Sequence, residues 1–229
     1  MVKCTCVFCL LFWNILLSHG QINCDHASFL KKALQNDSIA QAAYGDMEEE
    51  ALLYFRKKSA STSAENKATL RTIPVVVHIL HQNGAENITD AQVRQAIRWL
   101  NEGFSKSGPY ANAEGANTEI QFCLATRDPQ GNASNGIVRV ETPYTTLNWL
   151  QDASAKSQSY WPAQDYLNIW VVREICRSSV NCDISAYASV PFFHGGNNDG
   201  IVIESTFMGS TSERTVALIH EAGHYLGLY

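Results

Sequence analysis

The stretch His220-Glu221-Ala222-Gly223-His224-Tyr225-Leu226-Gly227-Leu228-Tyr229 decides how the rest of the chain is read. Two histidines four positions apart on a helix share one face, one turn above the other. Their imidazoles can reach a single zinc ion at the ordinary Zn–N distance of about 2.0–2.1 Å. Glu221 follows the first histidine and is rotated away from such an ion, so it is placed to hold a water rather than to ligate. Zinc lowers the pKa of a bound water to roughly 7, and a carboxylate in that position can take the proton and later return it to a leaving amine. His220 and His224 are therefore candidate metal ligands and Glu221 the candidate general base and acid.

The flanks predict a helix. Ser210 and Glu213 have capping-box spacing, and Val216, Ala217, Ile219 and Ala222 offer an apolar face. Gly223 is a poor helix former, which a close approach of backbone, metal or substrate would explain. Gly227 fits a left-handed helix stop.

Further out, Thr72 to His81 reads as a β-branched, strongly apolar strand, central in a sheet. Thr89 to Phe104 is an amphipathic helix with Val93, Ala96, Ile97, Leu100 and Phe104 on one face and Thr89 with Gln92 as its cap. Glu119 to Ala125 and Ile137 to Glu141 flank an Asp128-Pro129-Gln130-Gly131 turn. Leu147 to Ser157 predicts a short helix, and Leu167 to Arg173 a strand followed by a long irregular stretch. Asp199-Gly200 turns the chain into Ile201 to Glu204, and the motif helix follows. The alternation predicts an α/β architecture, a twisted mixed sheet with one backing helix and the histidine-bearing helix.

The ending resembles the metzincin pattern HExxHxxGxxH, and the fuller string HEAGHYLGLY is similar to the pappalysin (cytophagalysin-like) family. Arg71 to His78 resembles that family's first catalytic strand, and Thr89 to Val93 its following helix. Ile120 to Ala125, Asp128-Pro129 and Gly136 to Val140 are similar to its central hairpin. Leu167 to Val171 and Asp199 to Ile203 resemble its later strands. The resemblance implies a zinc metalloendopeptidase acting on proteins or peptides in extended conformation, with the strand before the zinc helix bordering the cleft. It places the third histidine at the position after Tyr229, with the methionine turn and specificity pocket later still, so the chain reads as the N-terminal part of a catalytic domain, truncated at its C-terminus. The family also implies calcium, but no calcium-ligand motif here matches residue by residue.

The N-terminus reads as a secretion signal over residues 1–20: Lys3, then an apolar run from Val7 to Leu17, then Ser18 and Gly20 before the cut. That run is short for a membrane span, which needs about 20 apolar residues, and no other segment offers one. Residues 21–70 read as a helical pro-segment and activation linker. Phe29, Leu30, Ala33 and Leu34 have helical spacing, as do Ala51, Leu52, Tyr54 and Phe55. Arg56-Lys57-Lys58 precedes a small, polar run from Ser59 to Ala68, as a cleavable linker would. Residues 71–229 are the catalytic part. A net charge of −5 gives no support for nucleic-acid binding, and no basic run suggests an anionic membrane. Asn36, Asn87 and Asn132 head Asn-x-Ser/Thr sequons, which suit an extracellular, secreted protein. The oligomeric state is not legible.

Cys4, Cys6 and Cys9 would leave with the signal. Of the remaining cysteines, Cys176 and Cys182 flank a short polar stretch and suit a disulfide staple. Cys123 sits in an apolar strand, either buried as a thiol or bridged. Cys24 lies where the resemblance places a cysteine switch, a thiolate that occupies an open zinc position; a disulfide or a free thiol is the competing reading, because Asp25 rather than glycine follows. His78 and His81 read as strand and loop histidines. His194 to Asp199 resembles a mobile loop. Asp183, Asp199 and Glu204 are candidate calcium ligands, but they lack regular spacing and read as solvated carboxylates. A zinc peptidase of another clan, with a downstream glutamate ligand, and an inactive secreted protein that binds or inhibits a partner are the competing functions.

Overall fold

The computed structural model describes residues 31, 34, 35, 38–60, 69–148, 152–191 and 194–228. The secretion signal, the early cysteines, Cys24 and Asn36 lie outside them. The elements are α1 (Ser38–Ala60), β1 (Arg71–His81), α2 (Asp90–Phe104), β2 (Ile120–Leu124), β3 (Ile137–Glu141), β4 (Thr146–Asn148), α3 (Ala153–Lys156), β5 (Leu167–Val172), β6 (Glu174–Cys176), β7 (Ala186–Ala188), β8 (Ile201–Glu204) and α4 (Ser212–Tyr225).

β1 is the centre of the main sheet, as its run of Val75, Val76, Val77, Ile79 and Leu80 predicts. Its order is β2-β1-β5-β8-β7, with β3 also on β1. Every pairing is parallel except that of β7, which runs antiparallel along β8. The hairpin that the resemblance implies is not there. β2 pairs with the first half of β1, Arg71 to Val75, and β3 with the second half, Val77 to His81, both in parallel. The turn at Asp128 closes only a small excursion, bridged antiparallel at Arg127 and Ala133. A two-strand hairpin would leave half of an 11-residue strand without an edge partner; two short strands laid end to end satisfy the whole of it.

Side-chain alternation splits the sheet residues between two cores. Val75, Val77, Ile79, Ile169, Val171, Ile201 and Ile203 face α2 and α4 and meet Val93, Leu100, Phe104, Ala217, Leu218 and Ala222. On the other face Leu80, Trp170, Val172 and Val202 pack with Leu147, Ile175, Ile184 and Tyr187. α2 keeps its predicted face, and Thr89 caps it by accepting the Gln92 N–H at 3.2 Å. The Gln92 amide does not complete a capping box; it donates to the Ser205 and Met208 carbonyls and ties α2 to the end of β8. Residues 147–157 begin not as helix but with β4, which forms a small parallel sheet with β6. β6 and β7 were read as irregular chain, being too short to show a period.

The parallel strands cross at a polar node. Asn168 Oδ1 accepts from the Trp161 N–H at 2.9 Å and from His78 Nε2 at 2.9 Å, while its Nδ2 donates to the Trp161 carbonyl at 2.8 Å. His78 therefore carries its proton on Nε2, and Nδ1 accepts from Ser159 Oγ at 2.7 Å. Burial pushes the His78 ring down to about 4, against the hydrogen bond to Asn168. The unfolded chain takes up this proton near its model value of 6.5 and the folded chain refuses it until about 4. Stability from this group is thus complete above pH 6.5 and is lost as pH falls to 4, by up to about 3 kcal/mol. Urea midpoints taken across that window should fall, and a His78→Gln variant, with no ring to titrate, should show that much less acid sensitivity.

Candidate functional site

α4 starts one residue later than its spacing suggested. Thr211, not Ser210, is the cap: its Oγ1 accepts the Arg214 N–H at 3.2 Å. The Ser210 hydroxyl is turned to the Thr206 carbonyl instead, and Glu213 lies in the first turn, where a negative charge suits the helix dipole. Thr215, Ala217, Leu218, Glu221, Ala222, Gly223, His224 and Tyr225 are buried. That face packs on α2, β7 and β8.

At the far end His220 and His224 converge. Their Nε2 atoms are 3.0 Å apart and their ring centroids 4.4 Å. Two nitrogens so placed can both stand about 2.0–2.1 Å from one ion. His224 is buried and His220 exposed. Burial first, and His224 second, push His220 below the usual imidazole range. Glu221 is 1 % exposed, on the same turn.

The chain beyond the helix orients one of the two rings. Gly227 has φ +86°. Its N–H donates to the His224 carbonyl at 3.0 Å, and the Leu228 N–H donates to the Gly223 carbonyl at 2.9 Å. This paired 6→1 and 5→2 closure is the Schellman motif that the glycine predicted. It brings the Leu228 carbonyl to 2.7 Å from His224 Nδ1. A carbonyl only accepts, so Nδ1 carries the proton and Nε2 presents its lone pair, the arrangement metal-bound histidines adopt. The donor set thus fits zinc. Gly223 shows no close approach from within the chain: an added Cβ would meet only Leu228, at 3.7 Å.

Among the described residues no group of three His, Cys, Asp or Glu gathers into a cation site. The candidate calcium ligands are scattered. Asp183 pairs with Arg177 at 3.5 Å. Glu204 accepts the Ile175 N–H at 3.0 Å, and burial pushes it up to about 7. Asp199 is not solvated as expected; it is 2 % exposed. Cys176 and Cys182 are disulfide-bonded, and Cys123 is a half-buried free thiol. His81 Nδ1 accepts the Asn83 N–H at 3.3 Å, and His78 belongs to the node described above. Asn87 bonds Arg139 and Asn132 bonds Asp128.

Three features beside the site carried no signal in the sequence. β7, not β8, is the edge of the sheet: β8 is paired on both sides, by β5 and β7. The strand directly before α4 therefore offers no open edge. Lys156 is a buried lysine, held by Asp152 at 2.7 Å and lying 5.3 and 5.4 Å from the Trp170 and Tyr187 ring centres. The loop 194–199 is bound rather than loose. Gly195 N–H donates to Asp199 Oδ2 at 2.8 Å, Asp199 N–H to the Gly196 carbonyl at 3.1 Å, and Lys156 Nζ to the Asn198 carbonyl at 2.9 Å.

α1 stands near this end of the molecule. It is one continuous helix across the acidic run at Asp46 to Glu50 and the basic cluster at Arg56 to Lys58. Met47, Glu48, Ala51 and Leu52 face Pro191, Leu226 and Gly227 across a cavity of about 520 Å³.

No family model and no curated protein matches the chain. Solved structures do. Mature mirolysin of Tannerella forsythia in complex with a cleaved peptide is 35% identical, with TM-score 0.60, over 69% of this chain and 64% of that one. Mirolysin in complex with compound 9 is 34% identical, with TM-score 0.58 and the same coverage. A glutamate-to-alanine mutant of Tannerella forsythia promirolysin is 30% identical, with TM-score 0.68, over 86% of this chain and 66% of that one. The chain thus spans 64–66% of the length of these three chains. Its mixed α/β architecture, a mostly parallel sheet with helices packed on it, is the metzincin-like fold of mirolysin.

Proposed function

We propose that the chain belongs to a secreted zinc metalloendopeptidase of the pappalysin type, made as a zymogen, that hydrolyses peptide bonds in proteins. The observation that carries the reading is the convergence of His220 and His224 Nε2 at 3.0 Å with His224 Nδ1 committed to the Leu228 carbonyl. His220 and His224 would hold the ion. When bound, zinc supplies Lewis acidity toward a peptide carbonyl and toward water.

Glu221 does the proton work. Its carboxylate takes a proton from the attacking water as the C–O bond forms, and delivers it to the amine nitrogen as the C–N bond breaks. The substrate is an extended peptide, held through main-chain hydrogen bonds. Mirolysin's complex with a cleaved peptide supports a substrate of that class.

Latency has its own support. The stretch from Arg71 onward is too short to supply 86% of 229 residues, so the likeness to promirolysin extends into the chain ahead of it. α1 lies in that part and faces the end of α4. Cys24 as a zinc-capping thiolate and calcium as a second ion remain part of this proposal.

Zinc competition against a chromophoric chelator tests the assignment. The wild-type chain should take up a stoichiometric ion, and His220→Ala and His224→Ala should each remove it. Stoichiometric zinc retained by the double variant would overturn the reading.

A further inference from the structure

His194, Asp199 and Tyr225 make a contact that the hydrolytic chemistry leaves unused. Tyr225 directly follows His224 on α4 and is buried. The His194 ring, from the connection between β7 and β8, stacks on it with centroids 4.2 Å apart and planes 27° apart. Behind the histidine, Asp199 Oδ1 is buried with no hydrogen-bond partner and lies 3.8 Å from His194 Nε2. At 3.8 Å the pair is too far apart for a hydrogen bond but within reach of electrostatic attraction.

The aspartate is a fixed post. Its other oxygen takes the Gly195 N–H, and the residue before it is pinned through its carbonyl by Lys156 Nζ and by Ser189 Oγ at 3.1 Å. Gly200, the residue after it, has φ +146°, and a Cβ there would collide with the Asn168 carbonyl on β5. His194, by contrast, keeps 30% of its side chain exposed. A half-open polar ring is a poor filler for a core. An imidazole does two things here that an aliphatic residue cannot: it stacks on the tyrosine and sets a polar ring nitrogen beside the aspartate. His224 is then held from two directions, by the Leu228 carbonyl that follows it and by the clasp on its neighbour.

We propose that His194, anchored by Asp199, is a positioning residue for the zinc site: its stacking on Tyr225 fixes the last turn of α4 and so the orientation of His224. This rests on the zinc reading above. His194 touches neither metal nor peptide; it acts through Tyr225.

The test measures zinc affinity by chelator competition, with thermal midpoints in parallel, for wild type, His194→Ala, His194→Phe and Leu100→Val. Leu100 lies in the core between sheet and helices, and its variant controls for general loss of stability. His194→Ala should weaken zinc binding about tenfold, the scale seen when support behind a ligand is removed. His194→Phe, which keeps a ring on Tyr225, should recover most of that loss, and Leu100→Val should bind as wild type does. The proposal is overturned if His194→Ala binds within about twofold of wild type, if phenylalanine fails to rescue, or if Leu100→Val loses as much. Zinc binding that depends on His220 and His224 but ignores His194 removes this inference alone. A wild-type chain that binds no zinc removes it together with the metal assignment.

Discussion

On the proposed function, Glu221→Ala should leave zinc bound and should lower kcat for peptide hydrolysis by roughly 10²–10⁴-fold or more, the range that a positioned acid–base group supplies. The separation of the two effects is what the geometry demands. The nitrogens proposed as ligands sit on His220 and His224, and Nδ1 of His224 is committed to the Leu228 carbonyl, so the carboxylate can go without taking a proposed metal contact with it. Alanine is the best helix former, and Glu221 is buried, so the change trades a buried charged group for a methyl in mid-helix. The fold should persist. Glu221→Gln should lose as much activity while keeping the shape, since an amide accepts no proton at neutral pH. Fluorogenic peptide cleavage and zinc content, read on one sample, decide the matter. Turnover within about tenfold of wild type would remove Glu221 from the chemistry.

The second large effect is on stability. Trp170→Ala should cost about 3–5 kcal/mol from its buried side chain alone. Trp170 is fully buried on β5, among Leu80, Val202, Ile175 and Tyr187. Its Nε1–H donates to the Ser159 carbonyl at 2.9 Å, and Lys156 Nζ lies 5.3 Å from its ring. Truncation opens a cavity, leaves that carbonyl without its donor, and strips a buried ammonium of one of its two aromatic neighbours, which adds about 0.5–2 kcal/mol. Domains hold only about 5–15 kcal/mol in total. The urea midpoint should therefore drop by a large fraction, and much of the protein should be unfolded at 37 °C. A midpoint close to wild type would mean that the second core contributes little.

What could be read from the chain divides along physical lines. β1, α2, β5, β8 and α4 each carry a continuous or periodic apolar signal, and the bounds read for the first four fall within a residue or two of those seen. The cap of α4 slipped from Ser210 to Thr211 because both are good caps and only the direction of the Ser210 hydroxyl, fixed by the Thr206 carbonyl, separates them. β2 and β3 were found as strands, but their partner was not. A turn sequence between two strands suggests pairing, while the length of β1 decides it. β6 and β7 are three residues each, below the length at which alternation can be counted.

The candidate site shows the same division. His220, Glu221, His224 and Gly227 are local in sequence, so their spacing is their geometry. The Cys176–Cys182 bridge spans a separation of 6 and was legible for the same reason. Lys156, Asn168 and the His194–Asp199 pair act through partners brought from elsewhere in the fold. The Asn168 amide meets His78 from 90 positions away, and no pattern in the chain announces such a meeting. His194-Gly195-Gly196-Asn197-Asn198 reads as loose chain by composition; the carboxylate that binds it shut follows directly, yet its direction belongs to the fold.

The acceptor that holds His224 Nδ1 belongs to the main chain, and that has a consequence for mutagenesis. The Leu228 side chain is 64% exposed, and replacing it leaves the carbonyl where it was. A scan of side chains would pass over position 228 as silent. The dependence surfaces one residue earlier: any residue that refuses the φ of +86° at Gly227 swings the carbonyl away and frees the imidazole to turn. The glycine that ends the helix thereby sets which nitrogen of its last histidine looks outward.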